Sequence, residues 1–271
     1  MILRVTVALF ILSAVFWLLE RVRPGVRSAR RPVDTRVDVA YWFFTPLITR
    51  AVTRVAVGMA FVAMAWMQGV TLEDLQRLAT SRQTWATSLP IAVQLPLILL
   101  IGDLLAYWTH RIFHGRWLWP FHAIHHSSTS VDWLSSVRLH PVNDAVARVV
   151  QVLPLYWMGF NGVALAAFVP FLTFYAILLH ANLNWSYGRL GYVLASPVFH
   201  RWHHTSETEG LDKNFAGLFP FIDLAFGTLY LPPGRQPERF GLVDSDVPDG
   251  LLGQLAYPFR RRSPQGPALP L

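Results

Sequence analysis

Residues 107–126 read YWTHRIFHGRWLWPFHAIHH and contain two closely spaced histidine motifs. The first is H-x3-H and the second is H-x2-H-H, and their histidines are His110, His114, His122, His125 and His126. Residues three and four apart lie on one face of a helix, so each motif presents its imidazoles on one side. Because imidazole is the commonest side-chain ligand of metal ions, this stretch predicts a metal site built on helices.

The same spacing returns further along the chain. His200, His203 and His204 repeat H-x2-H-H, and His180 ends an apolar run. A metal site such as that of zinc usually closes at four ligands. Eight histidines in three motifs, with His180 as a ninth, therefore predict two metal ions. His140 precedes a proline and has no helical partner, so we expect it to support the site rather than bind metal.

The residue types in the motifs limit the chemistry. The chain has no cysteine, which excludes disulfides, iron–sulfur clusters and thiolate zinc sites. All-imidazole sites suit zinc, copper, iron or nickel. The H-E-x-x-H motif is absent, so no glutamate is placed as a hydrolytic base, which disfavours a membrane zinc hydrolase. A metal transporter, which would carry ligands near the bilayer midplane, is the other alternative.

The composition is typical of a membrane protein. The chain of 271 residues is 53% hydrophobic and 14% charged, against about 25% charged residues in soluble domains. Its net charge of +7 comes largely from arginines that follow the first apolar segment and from Arg260–Arg262. Such positive segments stay on the cytoplasmic side of a membrane and contact anionic headgroups. We therefore expect no nucleic-acid partner.

The apolar segments predict an all-α fold, an integral-membrane helical bundle whose cytoplasmic, histidine-rich helical cap holds a dimetal site. The predicted spans are residues 5–19, 55–68 and 89–108, with a helical hairpin over 145–158 and 162–180. The stretch Tyr41–Arg54 either extends the second span or lies along the interface. The polar stretch 71–88 fits the outer side. Every histidine motif then lies on the cytoplasmic face.

Three regions follow from this pattern. Residues 1–88 form the N-terminal membrane helices and a basic cytoplasmic loop. Residues 89–232 form the catalytic domain. Residues 233–271 form a tail rich in proline and glycine.

The ordered set of motifs resembles the histidine boxes of the fatty acid hydroxylase/sterol desaturase superfamily. The resemblance covers roughly residues 95–232 and extends beyond the boxes. The further similar segments are Tyr107–Arg111, Ser127–Ser128, Asp132–Pro141, His180–Asn182, Asp212–Phe215 and Asp223–Thr228.

This resemblance implies a non-haem di-iron, O2-dependent enzyme that acts on a lipid C–H bond. Hydroxylation gives an alcohol and is favoured slightly, whereas a second hydrogen loss gives an alkene, as in a desaturase. The substrate would be a fatty acyl lipid, a sphingolipid-like or ornithine lipid, a sterol-like terpenoid or a carotenoid. Two iron ions and O2 are the expected cofactor and co-substrate, with zinc possible in purified protein.

The chain carries no fused cytochrome domain, so we expect an external electron donor, either a ferredoxin or a cytochrome b5-type protein with its reductase. A bacterial inner membrane is the expected location. The sequence does not indicate an oligomeric state.

Several polar residues are candidates for support of the site. Asn184, four residues after His180, matches a position from which an asparagine completes metal coordination through water in related enzymes, and Asn182 competes with it. Asp103, two turns before His110, could orient an imidazole. Asp223 is expected to brace the cap or a histidine. Arg138 would meet a headgroup or an electron donor, or form a structural ion pair.

Overall fold

The computed structural model describes residues 1–26, 31–71, 74, 83–160, 162–243 and 246–260, and these are helical without a β-strand. The predicted all-α class is confirmed for them. Some sequence predictions fall outside the described residues. They concern Arg27, Arg30, Arg261 and Arg262, most of the polar stretch 71–88, Asn161 in the hairpin turn, and the end of the tail.

The helices are placed by apolar runs that begin after proline or polar residues. They are α1 (Ile2–Val22), α2 (Pro32–Phe44), α3 (Arg50–Met67), α4 (Ile91–Phe113), α5 (Trp119–His126), α6 (Pro141–Trp157), α7 (Gly162–His180), α8 (Pro197–His203), α9 (Pro220–Ala225) and α10 (Leu251–Ala256). Proline occupies one of the first two positions in five of these helices, namely α2, α5, α6, α8 and α9, and in the 3-10 turn Tyr257–Phe259 that follows α10. At these positions the missing N–H of proline would have no helical partner.

Three helical stretches are long and apolar enough to cross a membrane, namely Ile2–Val22, Pro32–Met67 and Ile91–Phe113. The second is longer than the predicted 55–68, because α2 continues into α3 through a π-helical turn, Thr45–Thr49. Pro46 lies in that turn and cannot donate the usual backbone hydrogen bond, which accounts for the locally wider winding. Tyr41–Arg54 therefore extends the span.

The hairpin predicted before His180 is present as α6 and α7. Gly159 turns the chain between them with φ +96°, a left-handed conformation that suits glycine. α6 packs against α3 and α4. Met64, Ile98 and Leu155 form the buried centre of this contact. Within α7, Val169–His180 is a shorter apolar helix that ends at the histidine.

The ends of α1 and α7 meet at one end of the bundle, where the turn Trp133–Val137 packs against α2 and α7. There the Trp133 ring stacks on Phe16 at 5.5 Å between centroids and meets Trp42 edge-on at 5.8 Å. A short backbone bridge between Pro24 and Leu183 ties the exit of α1 to the exit of α7. All histidine motifs lie at this end, as the sequence predicted for one membrane face.

A buried ion-pair network closes the same end. Arg138 is 1% exposed, and its Nε donates to Asp38 Oδ1 at 2.6 Å. Its Nη1 and Nη2 both donate to Asp34 Oδ1 at 3.2 Å, and Nη1 also donates to Ser127 Oγ. Asp34 and Asp38 are four residues apart on α2, so both carboxylates lie on one face of α2 and bind the arginine from there. Of the alternatives for Arg138, the structure forms the structural ion pair.

Replacing Arg138 by methionine should destabilise the protein by about 3–5 kcal/mol, because it removes the buried guanidinium that bonds Asp38 and Asp34 and leaves Asp34 only the more exposed Arg31 as a cation. The expected result is a lower thermal unfolding midpoint of Arg138→Met in detergent.

Arg235→Gln is the matched control, since Arg235 pairs with Glu209 at 3.4 Å on the exposed surface. Exposed pairs add little to stability, so its midpoint should equal that of the wild type. An unchanged midpoint for Arg138→Met would contradict the structural role of the network.

Candidate metal centre

Nine of the ten histidines converge in two groups at the histidine end of the bundle. The five-histidine group contains His110, His114, His122, His126 and His203, and the four-histidine group contains His125, His180, His200 and His204. Within each group the potential ligand nitrogens lie within 4.8 Å of one another. All nine are buried except His110, which is half-buried. The nine histidines predicted from the sequence are therefore together.

Each H-x2-H-H motif serves both groups. In α5, His122 and His126 face the five-histidine group while His125 faces the other. In the motif that begins in α8, His203 faces the five-histidine group, whereas His200 and His204 face the four-histidine group. Positions i and i+4 point the same way on a helix, and i+3 lies about 60° away from i toward the neighbouring centre. The two groups touch, since the rings of His126 and His204 stack at 4.4 Å.

In most of these rings Nδ1, the nitrogen that points away from the other histidines, already forms a hydrogen bond. Nδ1–H donates to a backbone carbonyl in His110 (Phe215, 2.8 Å), His203 (Lys213, 2.8 Å), His125 (Arg138, 3.0 Å) and His180 (Ala176, 2.7 Å). His114 donates to Asp212 Oδ1 at 2.9 Å and His122 donates to Asn143 Oδ1 at 2.7 Å. A neutral imidazole has one N–H, so each of these bonds leaves a bare lone pair on Nε2.

Those lone pairs face one another. The Nε2 atoms of His110 and His122 are 2.9 Å apart, and those of His125 and His180 are 3.2 Å apart. His114 Nε2 and His203 Nε2 are buried without a hydrogen-bond partner. Two nitrogens of one tetrahedral site with metal–nitrogen bonds of 2.0–2.1 Å lie roughly 3.3 Å apart. The donor set therefore fits metal ions that lie between the rings.

The protonation of the rings supports the same fit. Burial, reinforced mainly by the neighbouring imidazoles, holds the pKa well below its usual value in the seven histidines outside the apolar helices. These are His114, His122, His125, His126, His200, His203 and His204. At neutral pH these imidazoles are neutral, which is the form that binds metal.

One loop, Asp212–Phe215, orients three members of the five-histidine group. It presents the Asp212 carboxylate to His114, the Lys213 carbonyl to His203 and the Phe215 carbonyl to His110. The loop reaches them through left-handed backbone at Asp212 (φ +54°) and Asn214 (φ +60°), which aspartate and asparagine tolerate better than most residues.

Two side chains hold this loop in place. Asn214 donates through Nδ2 to the carbonyls of Phe199 and Tyr230, and Asp223 accepts from the backbone N–H groups of Phe215 and Ala216. Asp223 thus acts on His110 through one intervening carbonyl. This is the kind of bracing that the sequence predicted for it.

Asp103 has a different role from the predicted one. Its carboxylate accepts from the backbone N–H groups of Gly217, Leu218 and Phe219 at 2.7–3.0 Å, not from a histidine. Seven residues along a helix rise about 10.5 Å, so Asp103 shares a face with His110 but lies too far along the axis to reach its ring.

The remaining candidates lie outside both groups. His140 caps α6, since its Nδ1 accepts from the Val142 N–H while its Nε2–H donates to the Leu255 carbonyl. Asn184 is exposed, whereas the ligand candidates are buried. The Asn182 side chain donates to the Val26 carbonyl at 3.0 Å, on the side of the loop that follows α1.

Sequence reasoning missed Asn143 and Asp212 as hydrogen-bond partners of histidines. Asn143 lies three residues after His140, near the start of α6, with no spacing that relates it to His122. Asp212 belongs to one of the segments that carried the family resemblance, and this was the only available signal for it.

Comparison with known proteins agrees with this geometry. The family model "Fatty acid hydroxylase" matches residues 95–228. The ornithine lipid hydroxylase OlsE of Rhizobium tropici is 27% identical over 251 residues, which cover 92% of this chain and 73% of that protein. The alkylglycerol monooxygenase of Caenorhabditis elegans is 27% identical over 55% of this chain. The very-long-chain aldehyde decarbonylase GL1-7 of Oryza sativa subsp. japonica is 28% identical over 54%.

The chain covers only 29% and 25% of the length of the latter two proteins. No solved structure matches the chain. The matched segment contains every residue of the five-histidine and four-histidine groups. Residues 95–228 match the fatty acid hydroxylase family, and the resemblance carried by the histidine motifs is confirmed.

Proposed function

We propose that this protein is an O2-dependent di-iron enzyme that hydroxylates a C–H bond of a membrane lipid. The observation that carries the proposal is the pair of adjacent, buried all-histidine groups at the end of membrane-spanning helices. The family match supports lipid oxidation, and three relatives named above are a lipid hydroxylase, a monooxygenase and a decarbonylase.

The residues would act by holding, orienting and shielding two metals. When bound, a pair of iron ions supplies the redox chemistry that O2 and a C–H bond require. The five-histidine and four-histidine groups would each hold one ion. Asn143, Asp212 and the carbonyls of Arg138, Lys213 and Phe215 fix the ring orientations, as metal-bound histidines usually need. Burial of the rings excludes water from the centre.

The position of the site at the ends of apolar helices supports access by a lipid chain from the bilayer. His110 lies on the last turn of α4 and His180 on the last residue of α7. Arg21 and Arg23 follow the apolar part of α1 at this same end, and the positive-inside rule then supports a cytoplasmic catalytic face. A bacterial inner membrane is the location that we propose.

Hydroxylation is favoured over desaturation, which the same site could perform. The relative of which this chain covers 73% is named as an ornithine lipid hydroxylase, so an acyl lipid of that kind is the first substrate to test. A zinc hydrolase is disfavoured because the two groups contain no carboxylate base. A transporter is disfavoured because the ligand candidates lie at the ends of the spans.

Turnover also requires electrons, for which we propose an external ferredoxin or a cytochrome b5-type protein with its reductase. Purified protein with iron and such a donor should convert an acyl lipid under ¹⁸O2 into a product one oxygen heavier that carries the label. Lipid mass spectrometry is the measurement. Loss of two hydrogens without label would indicate the desaturase, and no O2 uptake with zinc bound would overturn the oxygenase.

His204→Ala should lower the iron content of anaerobically purified protein from two ions per chain toward one and abolish turnover, since it removes one of four ligand candidates. His140→Asn is the matched control, because asparagine keeps a capping acceptor for α6. The control should retain two irons. Two irons in His204→Ala, or their loss in His140→Asn, would refute the assignment.

Asn143→Leu should weaken iron binding about 10- to 100-fold, because His122 Nδ1–H loses its acceptor while no ligand is removed. Asn143→Asp keeps an acceptor of the same shape and should bind iron at least as tightly as the wild type. Competition with a chelator measures both affinities. An equal loss in the two variants would show that Asn143 acts only through packing.

A further inference from the structure

Arg201 is a buried arginine whose guanidinium forms no hydrogen bond with the residues that the structure describes. It is 0% exposed. Arg138, which is as deeply buried, binds two aspartates and a serine. A buried charge without hydrogen bonds is costly, so a site of this kind calls for an anion.

A second buried atom without a partner lies beside it. Asn182 Oδ1 receives no hydrogen bond, although the other side-chain atom of this amide donates to Val26. A Cβ on Gly25 would collide with both Arg201 Nη1 and Asn182 Oδ1, so the three residues meet at one point. Gly25 is partly exposed and lies between the Arg201 guanidinium and the protein surface. At this point Arg201 provides hydrogen-bond donors and Asn182 provides an acceptor, and both lie beneath Gly25.

The guanidinium also makes a cation–π contact, because its central carbon lies 5.0 Å from the centre of the Phe240 ring. This contact leaves the N–H groups available to an anion. Arginine stays protonated in proteins, and the Glu20 carboxylate, whose charge acts on Arg201, accepts from the Asn182 backbone N–H at 3.0 Å. A planar fork of donors matches the two oxygens of a carboxylate or phosphate.

The depth of this point in the fold indicates where the anion comes from. Gly25 lies three residues beyond the end of α1 at Val22, and Asn182 lies two residues beyond the end of the apolar helix Val169–His180. Headgroups lie at the level where membrane spans end. A lipid headgroup therefore suits the site better than a free solute.

We propose that Arg201 and Asn182 bind the polar head of the lipid substrate, with an oxyanion on the guanidinium and an adjacent N–H or O–H donor on Asn182 Oδ1. This inference rests on the proposed function and names its substrate class, an anionic or zwitterionic lipid. Arg201 lies on α8 between His200 and His203, and α8 is only on the order of 10 Å long. The carbon that is oxidised would then lie nearer the headgroup than the methyl end of the chain.

The test measures binding and does not require turnover. The probe is N-dodecanoylglycine, which has a carboxylate beside an amide N–H, added to iron-loaded protein in neutral detergent. It should raise the thermal unfolding midpoint with saturation, while its uncharged methyl ester should bind at least about tenfold more weakly, as expected for a lost hydrogen bond to a charge. Arg201→Gln should show the same loss, and the exposed Arg189→Gln should bind as the wild type does.

Asn182→Asp is the second variant, in case Arg201→Gln does not fold. It places a carboxylate beside the guanidinium and should also abolish the response to N-dodecanoylglycine. Equal binding of acid and ester, or undiminished binding by either variant, would overturn the proposal. An equal shift with inorganic phosphate at the same concentration would overturn the lipid headgroup as the source.

The headgroup site and the proposed function can fail separately. Iron content and ¹⁸O incorporation are measured on the same preparations. Two irons and labelled product, with unchanged amphiphile binding by Arg201→Gln, would refute the headgroup site alone. Specific amphiphile binding that Arg201→Gln removes, in a protein that takes up neither iron nor O2, would refute the oxygenase alone.

Discussion

The mutual repulsion of buried imidazole lone pairs is the constraint on which this structure depends. Outward hydrogen bonds place the N–H of most rings on Nδ1. The bare Nε2 atoms of His110 and His122 therefore face each other at 2.9 Å, and those of His125 and His180 at 3.2 Å. A metal ion between the rings would remove this repulsion. The fold around the histidines is a scaffold that holds these donors in positions they would otherwise avoid.

That scaffold gets its rigidity from interactions outside the two groups. Arg138 joins α2 to the chain segment whose carbonyl orients His125, and Asp223 and Asn214 hold the loop that orients three further histidines. Each is a buried polar group with satisfied hydrogen bonds, which costs little in place and much when one partner is removed. Ring orientation at the metal centre is thus linked to the packing of membrane helices.

The parts of the site that sequence could predict are those set by local geometry. H-x3-H and H-x2-H-H are visible because a helix brings these positions together whatever surrounds it. Asn143, Asp212 and the Phe215 carbonyl lie 21, 98 and 105 residues from the histidines that they orient, and their positions depend on tertiary packing. The same limit explains Asp103. It lies on the same face of α4 as His110, but too far along the helix axis to reach the His110 ring. This limit also explains the second span, where proline at 46 interrupts the apolar pattern without ending the helix.

The loop Asp212–Phe215 has a consequence for the order in which the protein matures. It lies 98 residues after His114 and 105 residues after His110, the histidines that it orients. During synthesis α4 is complete well before this loop leaves the ribosome, and until then His110 and His114 lack the hydrogen bonds that orient them. Metal binding by the five-histidine group would therefore come late in biogenesis, when most of the chain is present.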